Sequence, residues 1–462
     1  MALDLIVVLI YATGMIALGW YGMRRAKTRD DYLVAGRNLG PGFYLGTMAA
    51  TVLGGASTIG TVRLGYVHGI SGFWLCGAIG LGIVGLSLFL AKPLLKLKIY
   101  TVTQVLERRY NPAARHASAL IMLVYALMIG ATSTIAIGTV MQVLFGLPFW
   151  ASILVGGGVV VLYSTIGGMW SLTLTDIVQF LIMTVGLVFL LMPMSIMDTG
   201  GWDAMVAKLP ASYFDFTAIG WDTIITYFLI YFFGIFIGQD IWQRVFTARS
   251  EGVAKVAGTA AGLYCVLYGL AGALIGMAAK VLLPDLANVN NAFASIVQTS
   301  LPSGIRGLVV AAALAALMST AAAGLLAAST TVVQDLLPRL RQGRENTGGD
   351  AHENRIATLL MGVVVLGIAL VVSDVISALT LAYNLLVGGM LIPLIGAIYW
   401  KRATTAGAIT SMSLGFLTAL FFMLKDGLDA NTPIYYSLGV ALVSFVVVSL
   451  LSPRSNVVAK MV

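Results

Sequence analysis

Long apolar stretches, separated by short polar segments, run through the whole chain. About 20 apolar residues in a helix cross a bilayer core, and the pattern predicts about thirteen such helices. Several stretches exceed one crossing, which favours tilted or broken helices. The predicted spans are residues 2–22, 42–70, 71–97, 119–146, 150–168, 171–197, 217–238, 253–283, 306–334, 356–373, 375–399, 406–425 and 432–452. The sequence therefore predicts a single all-α polytopic membrane domain over residues 1–462.

The composition supports this assignment. Hydrophobic residues make up 59% of the chain and charged residues 10%, whereas soluble domains average about 25% charged residues. The first apolar stretch lacks a basic leading segment and a cleavage site, so we expect no detachable signal peptide. A chain this apolar belongs in a membrane.

Basic residues are concentrated in alternate connecting segments. They fall in residues 24–37, 96–115, 244–255, 339–355 and 401–402. Positively charged loops remain on the cytoplasmic side. The predicted location is the cytoplasmic (inner) membrane, with the N-terminus outside and the C-terminus in the cytoplasm.

The residue inventory argues against several functions. Three histidines are scattered, and Cys76 and Cys265 lie inside apolar stretches. Without metal-ligand spacing, a nucleophile motif or an intramembrane acid pair, we expect no enzyme. The net charge of +8 resides mainly in loops, so we expect no nucleic-acid partner. Channels usually repeat a pore unit or carry rings of charge, and a monomeric carrier of a small solute fits better.

One apolar helix, residues 311–331, consists mostly of small residues. Ala316, Ser319 and Thr320 share one of its faces, because positions three and four apart are neighbours on a helix. Hydroxyl and carbonyl oxygens suit a small hard cation. The alternative is a close-packing face whose hydroxyls bond their own helix.

The second predicted span carries a glycine pair, Gly54–Gly55, near its midpoint. Glycine weakens a helix by up to about 1 kcal/mol, and an unwound turn in a membrane exposes carbonyls that need partners. A bound cation is one such partner. Close helix packing through GxxxG spacing, as at Gly42 and Gly46, is the alternative.

The sixth predicted span contains an acid, Asp176, within an apolar run. Intramembrane acids usually face a cavity, a partner or an ion. Asp176 is therefore a candidate ion or proton site, or a structural residue. An interfacial helix cap is the alternative.

Five ordered elements resemble the sodium:solute symporter family, which includes sodium/proline, sodium/glucose, sodium/sialic acid and pantothenate carriers. They are DYLVAGR at 31–37, TQVLERRY at 103–110, GG at 167–168 with TDIVQ at 175–179, QDIWQR at 239–244, and MST at 318–320. The resemblance covers nearly the whole chain. It implies a LeuT-type fold, in which residues 42–197 and 217–399 form two inverted five-helix repeats. Residues 2–22 and 406–452 would be peripheral.

The resemblance also implies a sodium site between the second and ninth spans. Its ligands would be the carbonyls of Ala49, Val52 and Ala316 and the hydroxyls of Ser319 and Thr320. This set is neutral. A second sodium site, present in some members, would need hydroxyls at two positions that here hold Ala322 and Ala323.

The implied function is import of a small organic solute, coupled to sodium entry, by alternating access. The break is too bare for a sugar, which favours a carboxylate-bearing solute such as an amino acid or monocarboxylate. Proton coupling and a sugar or other neutral solute are the alternatives. Topology alone suggests the substrate-facing residues, and packing is the alternative for each: Gly55, Ser57, Thr58, Arg63, Trp74, Phe233, Gln239, Tyr383 and Asn384.

The sequence also predicts positions for two charged residues, Arg63 and Asp240. Arg63 would stand near the outer mouth, where it attracts a carboxylate; the alternative is a pair with a loop acid such as Asp285, or contact with lipid headgroups. Asp240 would lie at the cytoplasmic end and pair within its loop.

Overall fold

A computed structural model describes residues 2–337, 351–372 and 374–453. The regular structure within these ranges is helical, and an isolated β-bridge joins Leu39 and Ala248. Arg339, Arg341 and Arg344, which belong to a predicted cytoplasmic segment, lie outside the described residues. The all-α prediction is confirmed.

Fourteen helical segments carry the architecture and are labelled in chain order. They are α1 (Ala2–Met23), α2 (Pro41–Val52), α3 (Thr61–His68), α4 (Trp74–Gly85), α5 (Pro112–Phe145), α6 (Phe149–Met183), α7 (Trp221–Tyr227), α8 (Gln239–Val245), α9 (Glu251–Leu282), α10 (Ile305–Thr331), α11 (Ala351–Val371), α12 (Val375–Tyr399), α13 (Thr405–Asp426) and α14 (Thr432–Leu451).

Shorter helices connect or extend these segments. They are Arg29–Val34, Ala91–Leu97, Thr103–Arg109, Met192–Asp198, Trp202–Lys208, Phe233–Ile235 and Ala292–Ser300. The 3-10 turns are Ala35–Arg37, Gly69–Phe73, Ala211–Phe214 and Val289–Asn291. Wider π-helical turns are Ala56–Gly60, Leu86–Leu90, Thr184–Leu191, Phe228–Phe232 and Val332–Leu336.

Capping residues define several helix ends. Asn111 caps α5 by accepting a hydrogen bond from the backbone NH of Ala114, and Pro112 follows at the first helical position. Asp374 caps α12 in the same way through the NH of Ser377. Such side chains satisfy backbone donors that have no partner within the helix.

Several predicted spans are broken or sharply turned. The second predicted span stops at Val52 and resumes as a π-helical turn at Ala56 before α3. Segments Trp221–Ile235 and Gln239–Val245 form a second broken span, bent by 49°. Gly69 and Gly168 have φ of 66° and 54°, values that glycine adopts without a Cβ clash. The prediction of broken spans agrees with these interruptions.

Ten helical stretches are long and apolar enough to cross a membrane, or eleven if the bent pair is one span. This count applies to the described residues and does not confirm the predicted number of about thirteen. Two stretches, Ala56–Leu97 and Phe149–Asp198, are 42 and 50 residues long. They contain the turns at Gly69 and Gly168, and each has the length of two crossings.

Helix α10 lies at the centre of the bundle. In the most apolar window of its stretch, 94% of the residues are buried, compared with 28% for α1 and for α14. It packs against α1, α2, α5 and α6. The alanine-rich sequence explains this position, because small side chains allow neighbouring backbones to approach closely.

Glycines permit an equally close contact between α3 and α9. A Cβ at Gly276 of α9 would overlap the carbonyl of Val62 and lie 2.6 Å from the backbone nitrogen of Tyr66. These neighbours are backbone atoms, which cannot move aside as a side chain can. The contact therefore requires glycine.

Substitution Gly276→Ala should lower the thermal stability of the purified protein, because α3 and α9 must separate to admit the methyl group. Overpacking of this kind costs about 1–3 kcal/mol. Gly439→Ala on α14 is the matched control, since nothing lies within 4 Å of a Cβ at that position. Equal melting temperatures for the two variants would contradict the close approach.

Candidate functional site

The break between α2 and the turn at Ala56 borders a narrow cavity with about 20 Å³ of free space. A space of this size admits about one water molecule. Helices α4, α5, α8, α10 and α12 supply the rest of the wall. The lining residues are Thr51, Val52, Gly54, Gly55, Ala56, Ser57, Ile79, Ile129, Thr132, Ser133, Asp240, Thr320, Leu379 and Tyr383.

Side-chain hydroxyls satisfy the carbonyls that the break exposes. Thr320 donates to the carbonyl of Thr51 at 2.6 Å. Ser57 donates to that of Val52 at 2.7 Å, and Thr58 donates to that of Leu53 at 2.9 Å. An unpaired carbonyl in an apolar interior would cost several kcal/mol, so these hydroxyls stabilise the open turn.

The five predicted ion ligands lie on two helices that pack together. Ala49 and Val52 are in the last turn of α2, and Ala316, Ser319 and Thr320 are on α10. All are buried. The Thr320 bond to Thr51 joins the two helices directly beside the break.

A carboxylate also reaches this region, which the neutral predicted set does not include. Asp176 is fully buried in α6 and accepts the hydroxyl of Ser319 at 2.5 Å. It also accepts the hydroxyl of Thr47 and lies 3.4 Å from Nη2 of Arg244. Asp176 lies in the interior of α6 and is not its cap. One side chain therefore joins α2, α6, α8 and α10.

The prediction for Asp240 is wrong. It does not pair within a cytoplasmic loop but is 3% exposed and forms part of the cavity wall. Its Oδ1 accepts the hydroxyl of Tyr125 on α5 at 2.9 Å. Because α8 begins directly after the 49° bend, the bend brings the carboxylate to the cavity.

Arg244 also differs from its predicted position. The sequence suggests a basic residue in a cytoplasmic loop, but the side chain is fully buried beside Asp176. The fixed pair removes two charges from solvent, which costs several kcal/mol per ion before their attraction compensates. The position of Arg244 in the QDIWQR element indicated that the residue matters to the family. Its burial is explained by the bend that precedes α8.

Three of the predicted substrate-facing residues line the cavity. They are Gly55, Ser57 and Tyr383. The backbone NH of Gly55 donates to the hydroxyl of Ser133 at 3.3 Å. The Tyr383 ring packs edge-on against Tyr125 at 5.2 Å.

The other predicted substrate-facing residues lie outside the cavity wall. Trp74 donates its ring NH to the carbonyl of Phe216, and Phe233 packs among neighbouring phenylalanines. The amide of Gln239 bonds the backbone of residues 100 and 102. Thr58 bonds Tyr268, and Asn384 is buried directly after Tyr383.

Arg63 forms an ion pair that the sequence did not indicate. Its Nη1 lies 3.2 Å from Oδ2 of Asp374, which also accepts a bond from Asn290 at 3.4 Å. The predicted alternative partner, Asp285, is exposed. The pair joins α3 to the start of α12, beside a second small cavity that Thr139 also lines.

A second group of ion pairs lies at the opposite end of α5. Arg115 is in the first turn of α5 and contacts Asp335 at 2.8 Å and Glu107 at 2.6 Å. The cavity residues Thr132 and Ser133 come about five turns later, and Thr139 comes two turns after those. Charged contacts therefore lie on both sides of the cavity.

The sequence did not indicate that Thr132 and Ser133 line the cavity, or that Tyr125 contacts the wall residue Asp240. Hydroxyls on an apolar helix commonly bond a carbonyl of their own helix, as Thr132 does with Met128. Nothing in the local pattern distinguishes such a residue from one that faces a cavity.

Two broken helices around a buried cavity, inside an apolar helix bundle, are typical of membrane transporters, and the family and structural neighbours below are transporters and not enzymes. The sequence profile of the sodium:solute symporter family matches residues 32–415. The chain belongs to this family, and the resemblance is confirmed.

The chain is similar to named relatives along most of its length. It is 24% identical to the osmoregulated proline transporter OpuE of Bacillus subtilis, over 98% of this chain and 96% of the relative. It is 25% identical to a sodium/proline symporter of Staphylococcus aureus, over 90% and 85% of the two chains.

Solved structures share the fold. A Na+-coupled sialic acid symporter, in a substrate-bound outward-open state, superposes with a TM-score of 0.84 at 21% identity, and 98% of each chain is covered. Mhp1, a nucleobase-cation-symport-1 family transporter in a closed conformation, gives 0.56 at 15% identity, over 95% of this chain and 97% of Mhp1. These likenesses confirm the LeuT-type all-α fold.

Substitution Asp374→Asn should lower thermal stability at neutral pH by at most about 1 kcal/mol, because the pair with Arg63 is partly exposed. Burial raises the pKa of Asp374, but bonds from Ser377 and the charge of Arg63 outweigh it, so the pKa lies below its usual value. The ionised group therefore stabilises the fold above about pH 4, and this contribution is lost as the pH falls further.

The measurement is the difference in melting temperature between wild type and Asp374→Asn across a pH series. Asp285→Asn is the control, because Asp285 is exposed. A difference that persists unchanged well below pH 4, or an equal effect of the control, would show that the ion pair does not stabilise this end of the molecule.

Proposed function

We propose that the protein is a sodium-coupled symporter that imports a small organic solute by alternating access. The observation that carries the proposal is the contact of Thr320 with the carbonyl of Thr51 at the break of α2. There, hydroxyl and carbonyl oxygens of α2 and α10 lie next to the cavity at the break. Hard oxygen ligands of this kind suit Na+.

Sodium is the transported ion, and its ligands would be the carbonyls of Ala49, Val52 and Ala316 with the hydroxyls of Ser319 and Thr320. The family and the named Na+-coupled relatives support this choice. Asp176 would act through Ser319, whose hydroxyl it orients. A carboxylate near the ion would strengthen binding without occupying the cavity.

The solute would be carboxylate-bearing, such as an amino acid or a monocarboxylate. Two relatives are named as proline carriers, which supports an amino acid. The pairing of Arg63 with Asp374 removes Arg63 as a free carboxylate anchor. The carboxylate would instead face the hydroxyls and the open turn at Gly55 and Ser57.

Alternating access is supported by charged contacts at both ends of the cavity. Arg63–Asp374 and Arg115–Asp335 join different helices on opposite sides of it. Breaking one group while the other persists would open the cavity to one side at a time. The two inverted repeats, residues 42–197 and 217–399, would supply the moving parts, with α1, α13 and α14 outside them.

The remaining features of the proposal follow from the sequence. The protein would be a monomer in the inner membrane, with its N-terminus outside and its C-terminus in the cytoplasm. Proton coupling is the second candidate, because Asp176 is a fully buried carboxylate beside the proposed ion ligands. Dependence of uptake on sodium at constant pH distinguishes the two.

Substitutions Ser319→Ala and Thr320→Ala should raise the sodium concentration needed for half-maximal uptake far more than the solute concentration. Loss of one ligand costs about 1–3 kcal/mol, or roughly fivefold to 150-fold in affinity. The assay is uptake into proteoliposomes under an imposed sodium gradient, with candidate solutes first identified by thermal shift.

Thr331→Ala is the matched control for these variants. It removes a buried hydroxyl from the same helix, but that hydroxyl bonds the carbonyl of Ala327 within α10. Wild-type uptake that a proton gradient drives equally well without sodium would exclude sodium coupling.

One sodium ion should move per cycle, because Ala322 and Ala323 are buried without a side-chain oxygen where a second site would need hydroxyls. Sodium-activation curves should therefore have a Hill slope near one. Simultaneous measurement of sodium and solute fluxes gives the ratio independently. A slope or flux ratio near two would refute the single-ion assignment.

A further inference from the structure

Asp240 supplies the only charge among the described residues of the cavity wall. The other lining groups are apolar side chains, hydroxyls and backbone. No cationic side chain in the described ranges lies within 4.0 Å of its carboxylate, whereas the other buried acids have such partners. A carboxylate buried in an apolar medium is costly without a positive partner.

The charges at the centre of the bundle do not balance. Two acids, Asp176 and Asp240, share this region with one buried arginine, Arg244. Arg244 directs Nη2 toward Asp176 and lies beyond ion-pair distance of Asp240, although its positive charge also acts on that carboxylate. Ionised, these three groups sum to one negative charge, and the unmatched carboxylate faces the cavity.

Neighbouring residues hold Asp240 in this position. Tyr125 donates its hydroxyl to Oδ1, and Gly238 leaves room for the contact. A Cβ at Gly238 would lie 2.8 Å from the Tyr125 hydroxyl oxygen and 3.0 Å from Oδ1 of Asp240. A single acid at the start of a helix is also a common structural feature, but a role in the helix alone would not require placement in the cavity wall.

One aromatic ring among the described cavity residues, that of Tyr383, lines the same cavity, and two further tyrosines pack against it. Tyr383 packs edge-on against Tyr125 and Tyr231, with centroids 5.2 Å and 5.3 Å away. Ring faces attract cations through their quadrupole. Carboxylate and aromatic groups together form the combination that recognises an organic ammonium group.

We propose that Asp240 binds a protonated amine of the transported solute, with Tyr125 as the positioning residue. This inference rests on the proposed function, because it takes the cavity as the solute site. It narrows the solute to an ammonium compound. Among the carboxylate-bearing solutes, an amino acid then fits and a simple monocarboxylate does not.

The test compares matched probes on the purified full-length protein by thermal shift in sodium. Each pair replaces an amine by oxygen: proline with tetrahydrofuran-2-carboxylate, alanine with lactate, and ethanolamine with ethylene glycol. At least one amine probe should stabilise the wild type, and its oxygen partner should bind about tenfold more weakly or worse. This comparison needs no variant.

Substitution Asp240→Asn should then raise the half-saturating concentration of the amine probe about tenfold or more, because a charged hydrogen bond is lost. The stabilisation by sodium alone should remain. Asp240→Glu should retain discrimination within a pair, and Tyr125→Phe should weaken amine binding less than Asp240→Asn. Asp285→Asn, an exposed acid, is the control and should match the wild type.

Several outcomes would overturn the inference. They are equal binding of the amine and oxygen probes, an Asp240→Asn variant that keeps its amine affinity, and a wild type that responds to sodium but to no amine probe. Loss of the sodium response in Asp240→Asn would assign the carboxylate to the ion instead. Absence of any sodium response in the wild type would refute the proposed sodium coupling. The comparison of amine and oxygen probes would still decide whether Asp240 binds an amine.

Discussion

The structure depends on one constraint: backbone carbonyls inside a membrane need a partner. The break after Val52 interrupts the helical bonds that would supply one. Thr320, Ser57 and Thr58 supply hydroxyls to three successive carbonyls instead. Because Thr320 belongs to α10, the open turn is stable only where that helix packs against it.

This dependence explains why α10 is both central and made of small residues. Its alanines allow α1, α2, α5 and α6 to approach it. Its two consecutive hydroxyls face different partners: Ser319 bonds Asp176, and Thr320 bonds the open turn. The helix therefore connects the break to a buried ion pair over a short distance.

The buried charges connect the two broken helices. Asp176 contacts Thr47 just before the first break and Arg244 after the second. Asp240 lies on the same short helix as Arg244, one turn earlier. An ion that contacts Ser319 would alter the surroundings of Asp176 and, through Arg244, of α8. This is a contiguous physical route from the proposed ion ligands to the cavity wall.

The all-α membrane fold, the break at Gly54–Gly55 and the two segments that meet there could be predicted from the amino-acid sequence. These features depend on local quantities: the length of apolar runs, glycine pairs, and hydroxyls at helical spacing. The family resemblance could also be recognised from the sequence, because the motifs that carry it are short and contiguous. The number of about thirteen crossings stays a prediction, because two long helical stretches turn at single glycines and can each be counted as one or two crossings.

Which charged groups meet depends on the tertiary structure. Arg63 and Asp374 are 311 residues apart in the chain, and Asp240 and Tyr125 are 115 residues apart. The same local pattern around residues 239–244 is compatible with a cytoplasmic loop or with a buried helix. The bend of 49° before α8 places Asp240 in the cavity wall and Arg244 beside Asp176. Burial of a charge is a property of its neighbours in space, and the hydrophobic pattern of one segment does not specify them.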